Sequence, residues 1–183
     1  MIPLTKKFLT AVLLSVALIL SGCVEDEHVH DSPNTVQASP VAKNVPAFQA
    51  TTINGETVTN EIFAAKKITV VNIWGTFCPP CIGEMPELGE MARNLPAVAQ
   101  LIGLVCDASE NSVQIQRALE ITQKANVDFL NIVPDAQLMK FMEGVEAVPT
   151  TIFVNSKGEV VGNAIIGANI KGYKNELQKL LKQ

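Results

Sequence analysis

The clearest pattern in the chain is an unbroken apolar run at residues 68–74, ITVVNIW, in which most side chains are β-branched. Such a run is typical of a strand covered on both faces of a parallel sheet. Residues 79–95 then show helical periodicity with Pro86 inside, which predicts a kink because the ring removes one backbone hydrogen bond. A second apolar strand is predicted at residues 100–106.

Strands and helices continue to alternate further along the chain. The predicted elements are a helix at 111–124, a strand at 129–133, a short helix at 135–142, strands at 150–154 and 160–165, and a last helix at 170–181. The buried stripe of the helix at 111–124 is predicted to contain Val113, Ile115, Ala118, Leu119 and Ile121. The turn sequence at 155–158 makes the two late strands an antiparallel hairpin. This order of elements predicts a mixed-sheet α/β sandwich.

Another hairpin is predicted at the start of this domain. Residues 48–51 and 56–58 flank Asn54 and Gly55, and an Asn-Gly pair between two strands is typical of a tight turn. The folded domain is therefore expected to span residues 46–183.

The first residues have the pattern of an export signal. Lys6 and Lys7 precede an apolar run at 8–20, which has the length of a signal core and is too short to span a bilayer comfortably. The following Leu-Ser-Gly-Cys resembles the bacterial lipoprotein box, in which the cysteine is lipidated. Residues 1–22 are therefore predicted to be a lipoprotein signal peptide and Cys23 its lipidated residue. The alternative is an ordinary signal peptide followed by an incidental cysteine.

Residues 23–45 lack apolar periodicity and contain clustered acids and prolines, so they are predicted to be the lipidated cysteine and a flexible acidic tether. His28 and His30 lie among these acids and could attract a divalent metal weakly. A solvated linker explains the same residues, and no metal site is predicted.

Composition limits the classes of partner. The 183-residue chain has a formal net charge of −4, and removal of Lys6 and Lys7 with the leader makes it more acidic. It therefore lacks the basic surface that binding to DNA or RNA requires.

Two cysteines, Cys78 and Cys81, follow the first predicted strand at the start of the predicted helix. A thiolate at a helix N-terminus is stabilised by unpaired backbone N–H groups and by the helix dipole, which lowers the pKa of the thiol. Cys78 is therefore expected to be the nucleophile and Cys81 the resolving thiol. A zinc site would need further ligands, but no second Cys-x-x-Cys and no histidine after His30 are present. A structural disulfide is a further alternative, although so short a loop restrains the unfolded chain least.

A family resemblance arises from three segments: Trp-Gly-Thr-Phe-Cys-Pro-Pro-Cys at 74–81, Glu-Met-Pro at 84–86 and Val-Pro-Thr at 148–150. Together they resemble the TlpA-like and ResA-like branch of the thioredoxin superfamily. The resemblance implies a three-layer α/β sandwich with a central mixed sheet, an extra N-terminal β-hairpin and a helix–strand insertion. It also implies a thiol-disulfide oxidoreductase that uses no cofactor besides its redox-active disulfide.

The resemblance also assigns site residues. It implies that Pro149 is cis beside the dithiol and presents backbone to a substrate, and that Glu84 exchanges the proton of Cys81. Thioredoxin has an aspartate six residues before the first cysteine for a related purpose, where this chain has Asn72, which cannot titrate. The side chains expected to face substrate are Trp74, Phe77, Pro79, Pro80 and Val148. The family often has tryptophan at position 77, so the phenylalanine keeps an aromatic cover without the indole N–H.

Cys106 is placed at the carboxyl end of the second predicted strand, next to the strand that leads to Cys78. Sites in α/β sheets form at this edge, so a third redox thiol is one hypothesis. A small buried hydrophobe is the plainer alternative.

The leading functional hypothesis is a lipid-anchored, extracytoplasmic reductase of disulfides in exported proteins. The resemblance suggests cytochrome c apoproteins as one substrate class and a membrane thiol electron donor of the CcdA or DsbD type. We expect a monomer.

The alternatives are an oxidase that uses the same residues in reverse, a peroxiredoxin-type peroxidase, a Sco-type copper carrier, and a lipoprotein that only binds a partner. The residues before Cys106 lack the Pro and Thr of a peroxidase, and no downstream histidine supports copper binding.

Overall fold

The computed structural model describes residues 36–37, 39–108 and 112–183. The predicted signal peptide at 1–22, the predicted lipidation site Cys23, and His28 and His30 lie outside these residues. Within the described residues, no helix is long and apolar enough to cross a membrane.

Strands and helices alternate along the described chain. The strands are β1 (Val36–Gln37), β2 (Gln49–Thr52), β3 (Thr57–Thr59), β4 (Ile68–Trp74), β5 (Ala99–Val105), β6 (Asn131–Val133), β7 (Thr150–Asn155) and β8 (Val160–Ile166). The helices are α1 (Pro79–Arg93), α2 (Ser112–Lys124), α3 (Ala136–Phe141) and α4 (Ile170–Leu181), with a 3₁₀ helix at Asn60–Ala65.

All the described strands form one mixed sheet in the order β1-β8-β7-β4-β5-β6-β2-β3. Strands β4, β5 and β6 are parallel, and β7 runs antiparallel to β4. Side chains of α1, α2 and α4 pack on one face of the sheet, and those of the 3₁₀ helix and α3 pack on the other. The predicted three-layer sandwich is confirmed, with β2–β3 as the extra hairpin and α2–β6 as the helix–strand insertion.

The apolar run of β4 is explained by its central position in the sheet. All seven of its side chains are buried. Val70 and Trp74 belong to the core under α1 and α4, whereas Val71 and Ile73 belong to the core under α3. Because both faces of β4 are covered, the strand has no polar side in its sequence. Pro86 lies inside α1, and the kink it predicts stays a prediction.

Two expectations about α2 and β6 are wrong in detail. Val113 is 72% exposed and does not belong to the buried stripe of α2, because that stripe begins at Ile115 and centres on the buried Ala118. The strand predicted at 129–133 begins only at Asn131. Phe129 packs against the core without joining the ladder.

The predicted tether at 23–45 is wrong for its last residues, which belong to the folded domain. Strand β1 pairs with β8, and the Val45 N–H donates to the Gly158 carbonyl at 2.9 Å. Val41 is buried in the core on the α3 face of the sheet. These residues follow β8 because it offers an unpaired edge, a tertiary feature that the local composition does not reveal.

Candidate active site

Cys78 and Cys81 lie where β4 leads into α1, and they form a disulfide with the two Cα atoms 5.3 Å apart. Cys78 is the N-cap of α1, and the Cys81 N–H donates to its Sγ at 3.2 Å. Pro79 and Pro80 occupy the first two helical positions and have no N–H to donate. Cys78 therefore receives a backbone hydrogen bond from Cys81 but none from the two residues between the cysteines.

The two sulfurs differ in access. Cys78 is only 4% exposed but lines a groove of about 460 Å³, whereas Cys81 is fully buried and does not line it. The other lining residues are Phe77, Pro79, Pro80, Cys106, Val145, Glu146, Ala147 and Val148. Phe77 is 61% exposed beside the dithiol, which is unusual for a large apolar side chain. The groove is mainly apolar, and Glu146 is the charged residue among those that line it.

The Val148–Pro149 peptide bond is cis, as the resemblance implies. The Val148 carbonyl oxygen lies 3.4 Å from Cys78 Sγ. In the disulfide this is a contact without a hydrogen bond, because the oxidised sulfur carries no hydrogen. The Val148–Pro149 segment thus lies against the sulfur of Cys78. The groove is lined by four of the residues expected to face substrate, Val148, Phe77, Pro79 and Pro80.

Glu84 lies one turn after Cys81 on α1 and is only 5% exposed. Its Oε1 accepts a hydrogen bond from Asn72 Nδ2 at 3.0 Å, and its Oε2 lies 3.0 Å from Tyr173 Oη. Burial raises the pKa of Glu84 from an ordinary 4.5 to about 7, and the hydrogen bonds from Asn72 and Tyr173 act in the opposite direction. A carboxyl group with this pKa exchanges a proton readily near neutral pH.

Asn72 and Tyr173 hold this carboxyl group from two other elements. Asn72 on β4 also donates to Thr151 Oγ1 at 3.0 Å, and its Oδ1 is buried without a hydrogen-bond partner among the described residues. Tyr173 on α4 lies 2.8 Å from the Gly167 carbonyl. The sequence prediction missed Tyr173, although a polar tip on the apolar stripe that contains Leu177 and Leu180 is a signal for a buried partner.

The prediction that Trp74 faces substrate is wrong. Its side chain is fully buried, and its indole N–H donates to Asn131 Oδ1 at 2.9 Å. Gly103 lies under this bond, since a Cβ at that position would collide with the Asn131 side chain. Trp74 ends β4 and is a core residue, and its closeness to the cysteines in sequence does not bring it to the groove.

Cys106 lies immediately after β5, and its N–H donates to the Trp74 carbonyl at 2.8 Å. Its side chain is half-buried and lines the groove. Burial and, second, the neighbouring Asp107 raise the pKa of the Cys106 thiol to about 11. A thiol that stays protonated at neutral pH is a poor nucleophile, which favours the plainer of the two interpretations of Cys106.

The loop before Cys78 is anchored by Asp107, a residue that the sequence prediction also missed. Its carboxylate accepts hydrogen bonds from the Thr76 N–H at 3.1 Å and from the Thr76 hydroxyl at 2.6 Å. Thr76 is fully buried. Asp107 therefore ties the loop between β4 and α1 to the end of the neighbouring strand β5.

The sequence and the fold are similar to those of known proteins. Residues 41–162 match the AhpC/TSA family. The chain is 31% identical to sporulation thiol-disulfide oxidoreductase A of Bacillus subtilis over 160 residues, which cover 86% of this chain and 88% of that protein. It is 26% identical to thiol-disulfide oxidoreductase ResA of Bacillus cereus over 172 residues, 92% of each chain.

Solved structures support the fold. The crystal structure of StoA from Bacillus subtilis superposes with a TM-score of 0.59 at 22% identity, covering 74% of this chain and 99% of that one. The exposed lipoprotein thioredoxin Etrx1 of Streptococcus pneumoniae superposes with a TM-score of 0.56 at 18% identity, covering 75% of this chain and 100% of that one. Together with the cysteine pair at the start of α1, these similarities show that the chain belongs to the AhpC/TSA family and is a thiol-disulfide oxidoreductase of the ResA and StoA type, with Cys78 and Cys81 as its Cys-x-x-Cys pair.

Proposed function

We propose that this oxidoreductase is an extracytoplasmic, lipid-anchored reductase of disulfides in exported proteins. The observation that carries the proposal is the arrangement at the start of α1, where Cys78 is accessible from the groove and Cys81 is buried one turn before Glu84. Such an arrangement divides the reaction between an attacking sulfur, a resolving sulfur and a proton carrier.

The proposed reaction has two exchanges. The Cys78 thiolate attacks one sulfur of the substrate disulfide, forming a mixed disulfide and releasing the other substrate sulfur as a thiolate. Cys81 then gives its proton to the Glu84 carboxylate, and its thiolate attacks Cys78 Sγ. The second substrate sulfur leaves as a thiolate and takes a proton from solvent. The substrate gains two electrons, and the enzyme ends as the Cys78–Cys81 disulfide with Glu84 protonated.

The missing N–H donors at the N-terminus of α1 favour electron flow from the enzyme to the substrate. Stabilisation of the reduced form makes a dithiol pair oxidising, as in DsbA. Here Pro79 and Pro80 remove two N–H groups from the first turn of α1, and Glu146 is the charged residue that lines the groove. The Cys78 thiolate therefore receives less stabilisation than at a helix N-terminus that keeps all its N–H donors, which favours the disulfide in the enzyme and reduction of the substrate.

Location and partners are proposed from the sequence and from the relatives. Cys23 would carry the lipid, and one similar protein, Etrx1, is described as an exposed lipoprotein. The family resemblance adds cytochrome c apoproteins as one substrate class and a membrane thiol electron donor of the CcdA or DsbD type. An oxidase would use the same residues in reverse. A peroxidase that relies on Cys106 is disfavoured because the pKa of that thiol is raised to about 11.

The redox state of the dithiol in bacterial cells tests this proposal. We expect acid quenching and thiol alkylation to find Cys78 and Cys81 mainly reduced in the membrane fraction, because the electron donor of a reductase keeps its dithiol reduced. Cys23→Ser is expected to release the protein from the membrane while leaving the purified domain active. A dithiol that is mainly oxidised in growing cells would contradict the reductase direction, and membrane retention of C23S would contradict the anchor.

A further inference from the structure

The hydroxyl group of Tyr173 has one proton and two acceptors within hydrogen-bond distance. Its Oη lies 2.8 Å from the Gly167 carbonyl oxygen and 3.0 Å from Glu84 Oε2. A phenol donates one hydrogen bond, and a carbonyl only accepts. Both contacts are therefore hydrogen bonds only when Tyr173 donates to Gly167 and Glu84 is protonated and donates to Tyr173.

The second carboxyl oxygen of Glu84 fixes the position of that proton. Glu84 Oε1 accepts from Asn72 Nδ2, and the other hydrogen of the same amide group goes to Thr151 Oγ1. Oε1 faces the Asn72 amide donor, whereas Tyr173 Oη beside Oε2 is able to accept, so the contacts fit a proton on Oε2. These contacts are those of a protonated Glu84, the form expected after it has taken the proton of Cys81 and the one populated below its pKa of about 7.

Loss of this proton forces the Tyr173 hydroxyl to turn. Both oxygens of an ionised Glu84 only accept, and a charged acceptor forms the stronger bond. Tyr173 must then donate to Glu84 and leave the Gly167 carbonyl without its donor. Gly167 is bonded to the substrate-facing segment, because its N–H donates to the Pro149 carbonyl at 2.8 Å.

We propose that Tyr173 is a positioning residue that transmits the protonation state of Glu84 to the Val148–Pro149 segment through Gly167. With Glu84 protonated, Tyr173 holds Gly167 and, through it, the segment beside Cys78. With Glu84 ionised, this hold is released, and the segment adapts more readily to an incoming substrate. The place of the switch in the reaction rests on the proposed proton-carrier role of Glu84, whereas the turn of the hydroxyl requires only that Glu84 titrates.

The groups that face Glu84 are few. Asn72 approaches from β4 and Tyr173 from α4, and the backbone of Asn169, just before α4, also hydrogen-bonds to Glu84. Thr151 on β7 accepts from Asn72 and hydrogen-bonds to Tyr173. Glu87, one turn further along α1, is exposed and raises the pKa of Glu84 weakly by its charge. Burial raises the pKa of Tyr173 well above its ordinary value, so the phenol itself stays neutral while Glu84 titrates.

The chain contains a single tyrosine, so biosynthetic labelling with 3-fluorotyrosine marks position 173 alone. In the oxidised full chain we expect the ¹⁹F resonance to move between about pH 5 and pH 9 with a midpoint near the pKa of Glu84, about 7. Glu84→Gln should abolish this titration. Glu87→Gln, the matched control on the same helix, should keep it with a slightly lower midpoint. A resonance that stays fixed, or that titrates equally in E84Q, would overturn the proposal.

Tyr173→Phe supplies a second test. The ionised Glu84 loses a charge-assisted donor and the protonated form loses only a neutral acceptor, so the pKa of Glu84 should rise by about one unit. The pH profile of substrate reduction should move with it. Thr122→Val, which removes a buried hydroxyl that bonds within α2, should leave the profile in place. Equal profiles in Y173F and wild type would overturn the proposal.

The two hypotheses fail in different ways. A ¹⁹F titration that vanishes in E84Q supports the switch even if E84Q reduces substrate at the wild-type rate, a result that would remove only the proton-carrier role. A fixed resonance combined with slow turnover in E84Q would remove the switch and leave the proton-carrier role standing.

Discussion

Cys81→Ala is expected to trap the substrate as a mixed disulfide on Cys78. Cys78 is the sulfur that lines the groove, so it retains its ability to attack, but no second thiol remains to release the product. Turnover of a disulfide peptide by Cys81→Ala or by Cys78→Ala should fall by about a thousandfold or more, as for other variants that lack a nucleophile. Non-reducing mass spectrometry after acid quenching would identify the adduct and its position.

The other two thiols provide the controls for this trap. Cys78→Ala should be equally inactive but form no adduct, because Cys81 is fully buried. Cys106→Ala should keep near wild-type turnover, because burial keeps the Cys106 thiol protonated although it lines the same groove. An adduct on Cys81 in C78A, or loss of trapping in the double variant C81A/C106A, would contradict the assigned roles.

Glu84→Gln is expected to slow the attack of Cys81 on the mixed disulfide by about a hundredfold or more, the usual effect of losing a general base. In the wild type this step should accelerate as the pH rises through about 7, where Glu84 becomes ionised. The variant should show no acceleration over this pH range, because its amide cannot take up the Cys81 proton. Rapid acid quenching of the mixed disulfide over a series of pH values measures both effects. Glu87→Gln removes the same charge from an exposed position on α1 and should keep the pH-dependent acceleration, with a midpoint only slightly lower.

The stability of E84Q provides an independent check on the raised pKa. Glu84 keeps its proton in the folded state up to about pH 7 but loses it near 4.5 when unfolded. Its contribution to the free energy of unfolding is therefore complete below pH 4.5 and disappears as the pH rises through 7. The shift corresponds to about 3 kcal/mol. Urea unfolding at a series of pH values should show this decline in the wild type and not in E84Q. An equal dependence of the free energy of unfolding on pH in both proteins would contradict a buried carboxyl group that binds a proton.

The elements around the dithiol are predictable from sequence because their signals are local. The unbroken apolar run of β4 reflects cover on both faces, and the cysteines follow that strand directly. The expectation that Trp74 faces substrate was wrong, because its position at the end of a buried strand directs its side chain into the core. The predicted domain boundary at residue 46 was too late, because β1 forms only by pairing with β8, a strand that is distant in the sequence.

The support of Glu84 could not be predicted for a different reason. Asn72 and Tyr173 contact its carboxyl group from a strand and a helix, Thr151 holds Asn72 from a second strand, and only the tertiary fold brings the three elements together. The resemblance identified Glu84 but gave no signal for Tyr173, which lies 89 residues further along the chain. Hydrogen bonds between residues this far apart in the sequence depend on the tertiary fold, so periodicity and motifs do not predict them.

The equilibrium reduction potential of the Cys78–Cys81 couple tests the proposed direction of electron flow most directly. It can be measured by equilibrating the purified protein at pH 7 with dithiothreitol or glutathione buffers and alkylating the free thiols. Pro80→Ala, which restores the N–H at the second helical position, from which an N-cap side chain can accept, should raise the potential relative to the wild type. We predict a wild-type potential well below about −200 mV, on the thioredoxin side of the known range. A potential near that of DsbA, about −120 mV, would contradict the account and indicate an oxidase.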